Sequence, residues 1–198
     1  MINKIRHMSN KLDIIALYLS DYTQTISGRA IAKNISLSPQ AALNNLNQMV
    51  RDGILSFSVR GRNKEYAVQL KSLKSRMMIE MAEYYNSLKR LQNSELNVLI
   101  EEMIPYCESI ILFGSFAEWK EKKESDIDLV IVGKSDKMKI KGIRDKYPRE
   151  VNIEFISLMN FKKAFKGKKP LALEILKKHI LFGNIKPITD IFYEYYTR

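Results

Sequence analysis

The sequence predicts an α+β chain built from two small units, and three observations carry that reading. The first third holds three helical segments followed by two strands around a cation-rich turn. A long, apolar-striped helix comes next, and the last hundred residues contain two apolar strands, the second opening on a pair of aspartates. At 198 residues the chain has room for two small domains, since one domain commonly holds about 100 to 150 residues. A composition 45% hydrophobic and 28% charged suits a chain that buries a core, and 8 Gly and 5 Pro exclude a collagen-like or low-complexity protein.

From Lys11 to Leu19 the residues Leu12, Ile14, Ile15, Leu17, Tyr18 and Leu19 recur at helical spacing and mark a first buried helix. A second, short helix fits Ser27 to Asn34, with Ser27 as its cap and Ile31 and Ala32 facing inward. The third has the sharpest start signal: Ser38 as N-cap, then Pro39 at the first helical position, where a missing N–H loses nothing. Ala42, Leu43, Leu46, Met49 and Val50 share its inner face, Gly53 ends it, and Gln40, Ala41, Asn44, Asn45 and Gln48 are expected on its outer face. Strands are then expected over Ile54 to Val59 and Glu65 to Leu70, joined by the five-residue turn Arg60, Gly61, Arg62, Asn63 and Lys64.

This order of elements, in the stretch IAKNISLSPQAALNNLNQMVRDGILSFSVRGRNKEYAV, resembles the winged helix-turn-helix superfamily over residues 10 to 70. The resemblance implies double-stranded DNA as a partner. The helix starting at Ser38 would enter the major groove, where Gln40, Asn44 and Asn45 can read base edges, while Arg60, Arg62 and Lys64 on the wing contact phosphate. Charge agrees with this: residues 1–72 hold 10 Lys+Arg against 4 Asp+Glu, and residues 73–198 hold 23 against 18, within a net charge of +11. Winged-helix regulators are commonly dimers, so a homodimer is expected.

Residues 72 to 92 read as a linker helix whose stripe of Leu73, Met77, Met81, Tyr84, Tyr85, Leu88 and Leu91 is expected to pack against a domain or a second subunit. Ser94 and Glu95 begin another helix that runs through Met103 and stops at Pro105. The expected organisation is a first domain over 1–71, a linker helix over 72–93 and a second domain over 94–198.

The informative segment is SIILFGSFAEWKEKKESDIDLVIV, from Ser109 to Val132. An apolar strand, Ile110 to Phe113, runs into Gly114 and Ser115. After ten residues, Asp126, Ile127 and Asp128 open a second apolar strand. Strand side chains alternate, so Asp126 and Asp128 project from one face. Two adjacent carboxylates repel each other unless a divalent cation bound through oxygen converts the repulsion into attraction. Gly114 allows close backbone approach, and Ser115 offers a hydroxyl and an N–H to an anion.

The pattern hhhG[GS], a short gap and DhDhhh, where h is apolar, resembles the DNA polymerase beta-like nucleotidyltransferase superfamily and its minimal members, over about residues 94 to 185. The resemblance implies a third carboxylate in the form h[DE]h, for which Glu154 between Ile153 and Phe155 is the candidate. It further implies two Mg²⁺ ions, with Mn²⁺ as a substitute, on Asp126, Asp128 and Glu154 as metal-binding and catalytic residues. Gly114 and Ser115 would bind the nucleotide, an NTP expected to be ATP. NMP would pass to a hydroxyl of an unidentified acceptor such as a partner protein, an RNA or a small molecule. Where many relatives continue with x-A-[RK]-G, this chain has Phe116, Ala117, Glu118 and Trp119, which reverses the charge at 118. That departure motivates an alternative: a DNA-binding regulator whose second domain senses nucleotide or docks a partner without catalysis.

The remaining features bound the answer. One cysteine, Cys107, and two histidines, His7 and His179, cannot form a thiolate or imidazole cluster for zinc, so metal is expected on carboxylates. Cys107 has no activating base beside it, and His179 reads as a core residue of an apolar helix. The cations Lys162, Lys163, Lys166, Lys168 and Lys169 read as a solvated helix face and loop. No run is long and apolar enough to span a bilayer, and MINKIRHMSN lacks the apolar core of a secretory signal, so a cytoplasmic location without a membrane partner is expected.

Overall fold

A computed structural model describes the backbone of residues 2–197 and the side chains from residue 8 onward. The chain divides into two compact units, one up to Ala82 and one from Glu83 to Tyr196.

The first unit comprises α1 (Ile2–Ala16), β1 (Ile26–Ser27), α2 (Gly28–Asn34), α3 (Pro39–Arg51), β2 (Leu55–Arg60), β3 (Asn63–Val68) and the first half of α4 (Leu73–Arg90). Local chemistry sets its helix ends as the sequence indicates. Ser27 Oγ accepts from the Ala30 N–H and Ser38 Oγ from the Ala41 N–H, both at 3.2 Å. Gly53 lies just past α3 at φ +70°, a conformation that costs glycine little. The three strands form an antiparallel sheet in the order β1-β3-β2, giving three helices and a hairpin, the winged-helix arrangement. The wing is tighter than expected. Arg60 faces Asn63 across the ladder, so the loop is only Gly61 and Arg62, and Arg60 and Lys64 are strand residues. Gly61 at φ +61° supplies the left-handed first position of such a two-residue loop. Ile14, Ile15, Tyr18, Ile31, Leu46, Met49 and Tyr66 are buried, and the Tyr18 hydroxyl donates to the Tyr66 carbonyl at 2.9 Å.

Two residues of α3 stand on the face opposite to the one expected: Leu43, expected inward, is exposed, and Asn45, expected outward, is not. Asn45 is buried, and its amide donates to the Ala41 carbonyl at 2.8 Å. It lies on the stripe of Ala42 and Met49, three and four residues away, and so belongs to the inner face. The apolar stripe of α4 instead points outward: Leu73, Met77, Met81, Tyr84 and Leu88 are exposed, while Ser75, Ile79, Ala82, Glu83, Ser87 and Arg90 are buried. Hydrogen bonds and an ion pair engage that polar inner face. Ser75 Oγ donates to the Ile54 carbonyl at 2.9 Å, Ser87 Oγ donates to the Glu83 and Leu181 carbonyls, and Arg90 pairs with Glu121.

The second unit continues from α4 into α5 (Ser94–Met103), β4 (Cys107–Phe113), α6 (Gly114–Ala117), β5 (Ile127–Ser135), α7 (Lys137–Arg144), β6 (Val151–Ile156), α8 (Leu158–Lys166), α9 (Pro170–Lys177), β7 (Ile180–Gly183) and α10 (Lys186–Tyr196). Asn93 rather than Ser94 caps α5, accepting from the Leu96 N–H at 3.0 Å. The sheet order is β6-β5-β4-β7, with β5 and β6 parallel and the other pairs antiparallel. Leu96, Leu99, Ile100 and Met103 of α5 pack with Ile110, Leu112, Leu129, Ile131, Ile180 and Phe182 of the sheet and Ile140 of α7. Phe161 and Phe165 of α8 stack with Phe192 of α10. His179 is buried as expected but lies between α9 and β7, not in a helix. Its Nδ1 faces the Ile175 carbonyl at 2.7 Å, and its Nε2 is 3.1 Å from Glu83 Oε1.

Burial pushes the Cys107 thiol up to about 11, and its Sγ lies 3.4 Å from the Met103 carbonyl. The fold therefore favours the neutral thiol, a contribution complete below the ordinary thiol range and lost as pH rises through about 11. At pH 8 the native protein should react with iodoacetamide about 100-fold more slowly than the urea-unfolded chain; equal rates would contradict the burial.

Candidate functional site

The second unit's site is assembled where β4 ends and β5 begins. Phe113 pairs with Asp128 across the antiparallel ladder, and the chain then turns at Gly114 with φ +66°. A side-chain carbon at 114 would fall 2.5 Å from Asp128 Oδ2, so the carboxylate occupies the space that a larger residue would need. Ser115 comes next, in the first turn of α6. Along β5, Ile127, Leu129 and Ile131 are buried in the core, and alternation turns Asp128 to the other face; Asp128 and Asp126, which immediately precedes the strand, are both half-buried. The structure thus brings Gly114 and Asp128 together, with Ser115 next to Gly114 in the chain and Asp126 immediately before β5.

Glu154 stands differently. The parallel register sets Asn152 opposite Asp128 and Glu154 opposite Val130. Asn152 Nδ2 donates to Asp128 Oδ1 at 3.1 Å, while Glu154 is exposed on the same face about 6.5 Å further along the strand. Asn152 is the residue that sequence reasoning misses. In VNIEFI both Asn152 and Glu154 sit between apolar neighbours, and only the register shows which one meets Asp128. Two carboxylates and an amide are hard oxygen donors that suit a divalent cation. Among the described residues, however, no three His, Cys, Asp or Glu are grouped to hold one. The pair fits the implied metal, and a third carboxylate does not complete it.

The loop between the two motifs is fixed by arginines from outside it. Arg90 of α4, almost fully buried, pairs with Glu121 at 2.6 Å and lies over the rings of Trp119 at 4.6 Å and Phe116 at 5.3 Å. Arg149 donates to the carbonyls of Lys123 at 2.6 Å and Ser125 at 2.8 Å, and its Nε to Glu95 at 3.0 Å. Trp119 has φ +59°, a backbone conformation in which a bulky residue is strained. The reversed charge at 118 is answered locally: the hydrogen bond and charge of Lys120, 2.8 Å away, hold the Glu118 carboxyl below its usual range, with Lys178 adding to the effect.

Residues 96–185 match the family described as Polymerase beta, Nucleotidyltransferase. Over this segment the chain is similar to polymerase beta nucleotidyltransferase domains. The Gly114–Ser115 turn and the Asp126–Asp128 pair both fall inside it. No curated protein matches the chain. A solved structure of TrmBL2, an archaeal chromatin protein described with a novel mode of DNA binding, is 12% identical over 94% of this chain and 90% of that one, with a TM-score of 0.26.

In the first unit, Ser38, Gln40, Asn44, Arg60, Arg62 and Lys64 are all exposed, and Asn45 is not. Gln40 Nε2 donates to Asn44 Oδ1 at 3.0 Å, and Lys64 Nζ lies 4.6 Å from the centre of the Phe57 ring. A groove of about 720 Å³ runs between α2, α3 and the wing, lined among others by Arg29, Lys33, Leu37, Leu43, Arg62 and Lys64. Arg29 and Lys33 are additions to the sequence-predicted set; their spacing of four within a short helix, which puts both on one face, is the signal that points to them.

Gly114→Ala tests the turn. It forces a side chain into φ +66° and against Asp128 Oδ2, and should cost about 2–4 kcal/mol of unfolding free energy by urea denaturation. An unchanged midpoint would show that the turn relaxes freely.

Proposed function

We propose that the polymerase beta nucleotidyltransferase domain transfers NMP from an NTP, with ATP the expected donor, to a hydroxyl acceptor, and that the winged helix ties this activity to double-stranded DNA. The observation that carries the reading is the close seat of the Asp128 carboxylate on Gly114, with Asp126 two residues before Asp128, at the entry to β5. A fold gains nothing from two like charges so placed, whereas a cation-dependent reaction on phosphate does. Asp126 and Asp128 are the residues that would hold Mg²⁺, which when bound neutralises phosphate charge and activates the acceptor hydroxyl. Gly114 leaves the approach to the carboxylates open, and the Ser115 hydroxyl and N–H hold a phosphate oxygen. Glu154, exposed further along the same face, receives the acceptor's proton on its carboxylate.

The first unit recognises DNA by Gln40 and Asn44 at base edges. Arg60, Arg62 and Lys64, joined by Arg29 and Lys33, hold the phosphates beside the groove they line in part. One observation favours a second reading, a DNA-binding regulator that binds nucleotide without turning it over: the neutral Asn152 stands opposite Asp128.

Incubation with labelled NTPs, Mg²⁺ and cell extract should label an acceptor, and Asp128→Asn should lower the rate on the order of 100-fold or more, the loss typical of removing one group that stabilises transition-state charge. Label transfer indifferent to Asp128 would overturn catalysis. Nucleotide binding without transfer, with transfer appearing in Asn152→Asp, would establish the second reading. For DNA, Arg62→Ala should weaken binding across all sequences and reduce the slope of log K against log salt by about 1; no affinity at low salt would remove the DNA assignment.

A further inference from the structure

Helix α3 turns a leucine outward among amides. Its buried residues are Ala42, Asn45, Leu46 and Met49. Leu43 is 39% exposed and, among the described residues, is the large apolar side chain of α3 that stands in the open. Gln40, one turn before it, and Asn44, the next residue, are exposed too, and Gln40 Nε2 donates to Asn44 Oδ1 at 3.0 Å. Leu43 also lines the groove of about 720 Å³ whose cations, Arg29, Lys33, Arg62 and Lys64, come from α2 and the wing. Among the described residues, no Asp or Glu lines that groove. Asn45 meanwhile is inside, its amide donating to the Ala41 carbonyl. A helix face that met only water would gain nothing from placing leucine outside and asparagine inside.

We infer that Leu43 reads thymine, its side chain meeting the C5-methyl group of that base in the major groove. The inference rests on the DNA reading of the first unit and adds a base to it. Each group on this surface has a counterpart of its own chemistry on a duplex. Phosphates take the cations of the groove, and polar base edges take the amides. The apolar group that ordinary base pairs offer in the major groove is the thymine methyl. The amides point to the same base pair, because Gln and Asn bond to N6 and N7 of adenine, and adenine's partner carries the methyl on the same groove edge. Contact with the methyl removes apolar surface of Leu43 from water, which a phosphate or an exocyclic amine does not do.

Exchange of thymine for deoxyuridine tests the inference, because deoxyuridine keeps the base pair and the O4 acceptor and lacks only the methyl. The probes are short duplexes recovered with the full chain from a randomised pool at low salt, then remade with deoxyuridine at one thymine at a time. Fluorescence anisotropy should show, at one thymine position or more, affinity lower by about four-fold, the factor that goes with one methyl group kept from water. At those positions Leu43→Ala should bind the thymine and deoxyuridine duplexes equally, whereas Leu43→Met, which keeps an apolar contact, should still prefer thymine. Circular dichroism of both variants should match the wild type, and the deoxyuridine series on the wild type is decisive without them. Wild-type affinity indifferent to deoxyuridine at every position, or a Leu43→Ala chain that still prefers thymine, refutes the inference and leaves DNA binding standing. A pool that yields no bound duplex removes the DNA reading and the inference together.

Discussion

The second unit depends on one close approach. Phe113 and Asp128 are paired on neighbouring strands, and the carboxylate of Asp128 fills the space beside the next residue, Gly114. Glycine suits 114 because φ is +66° and because a Cβ there would push the Asp128 carboxylate out of its place. The turn then feeds α6, which buries Phe116 and Ala117 in the core. The residues that tie the strand to the helix are therefore the residues that present the acidic pair.

The loop beyond α6 accommodates an unusual sequence through neighbours that compensate for it. Glu118 and Trp119 stand in place of a cation and a glycine, and each has its own partner. Lys120 meets the carboxylate, and the Arg90 guanidinium covers the indole whose backbone is held at φ +59°. Arg90 also binds Glu121, and Arg149 collects two carbonyls further along, so the loop is held at both ends by cations from other elements. A nearly buried arginine is a costly way to stabilise a loop, because desolvation offsets much of the attraction. Its contribution is to fix one loop conformation beside the carboxylates.

Some of this is legible in the sequence, and the rest is hidden for identifiable reasons. Alternation is enough to turn Asp128 away from the core that takes Ile127 and Leu129, and Ser27, Ser38 and Gly53 mark helix ends because capping is local chemistry. Arg90 and Arg149 are invisible because their partners lie about 30 residues away on other elements. Asn152 escapes notice because the pattern h[DE]h asks for a carboxylate and so selects Glu154, whereas which residue stands opposite Asp128 is a question of register, which belongs to the sheet. Asn45 is misplaced for a related reason: its neighbours Asn44 and Leu46 lie on opposite sides of α3, and a polar residue at the edge of the stripe can turn inward once its amide finds the Ala41 carbonyl.

Helix α4 is the fullest case. Periodicity identifies its apolar stripe, but periodicity gives a face and not the direction in which it points. In an isolated domain the apolar face turns inward because burial of nonpolar surface outweighs other terms. Here the opposite face is committed first. Ser75 binds the Ile54 carbonyl, Ser87 binds Leu181, Glu83 meets His179 and Arg90 meets Glu121. Each of these groups would be costly to leave buried without a partner. Together they fix the rotation of the helix about its axis. With that rotation fixed, Leu73, Met77, Met81, Tyr84 and Leu88 are left exposed.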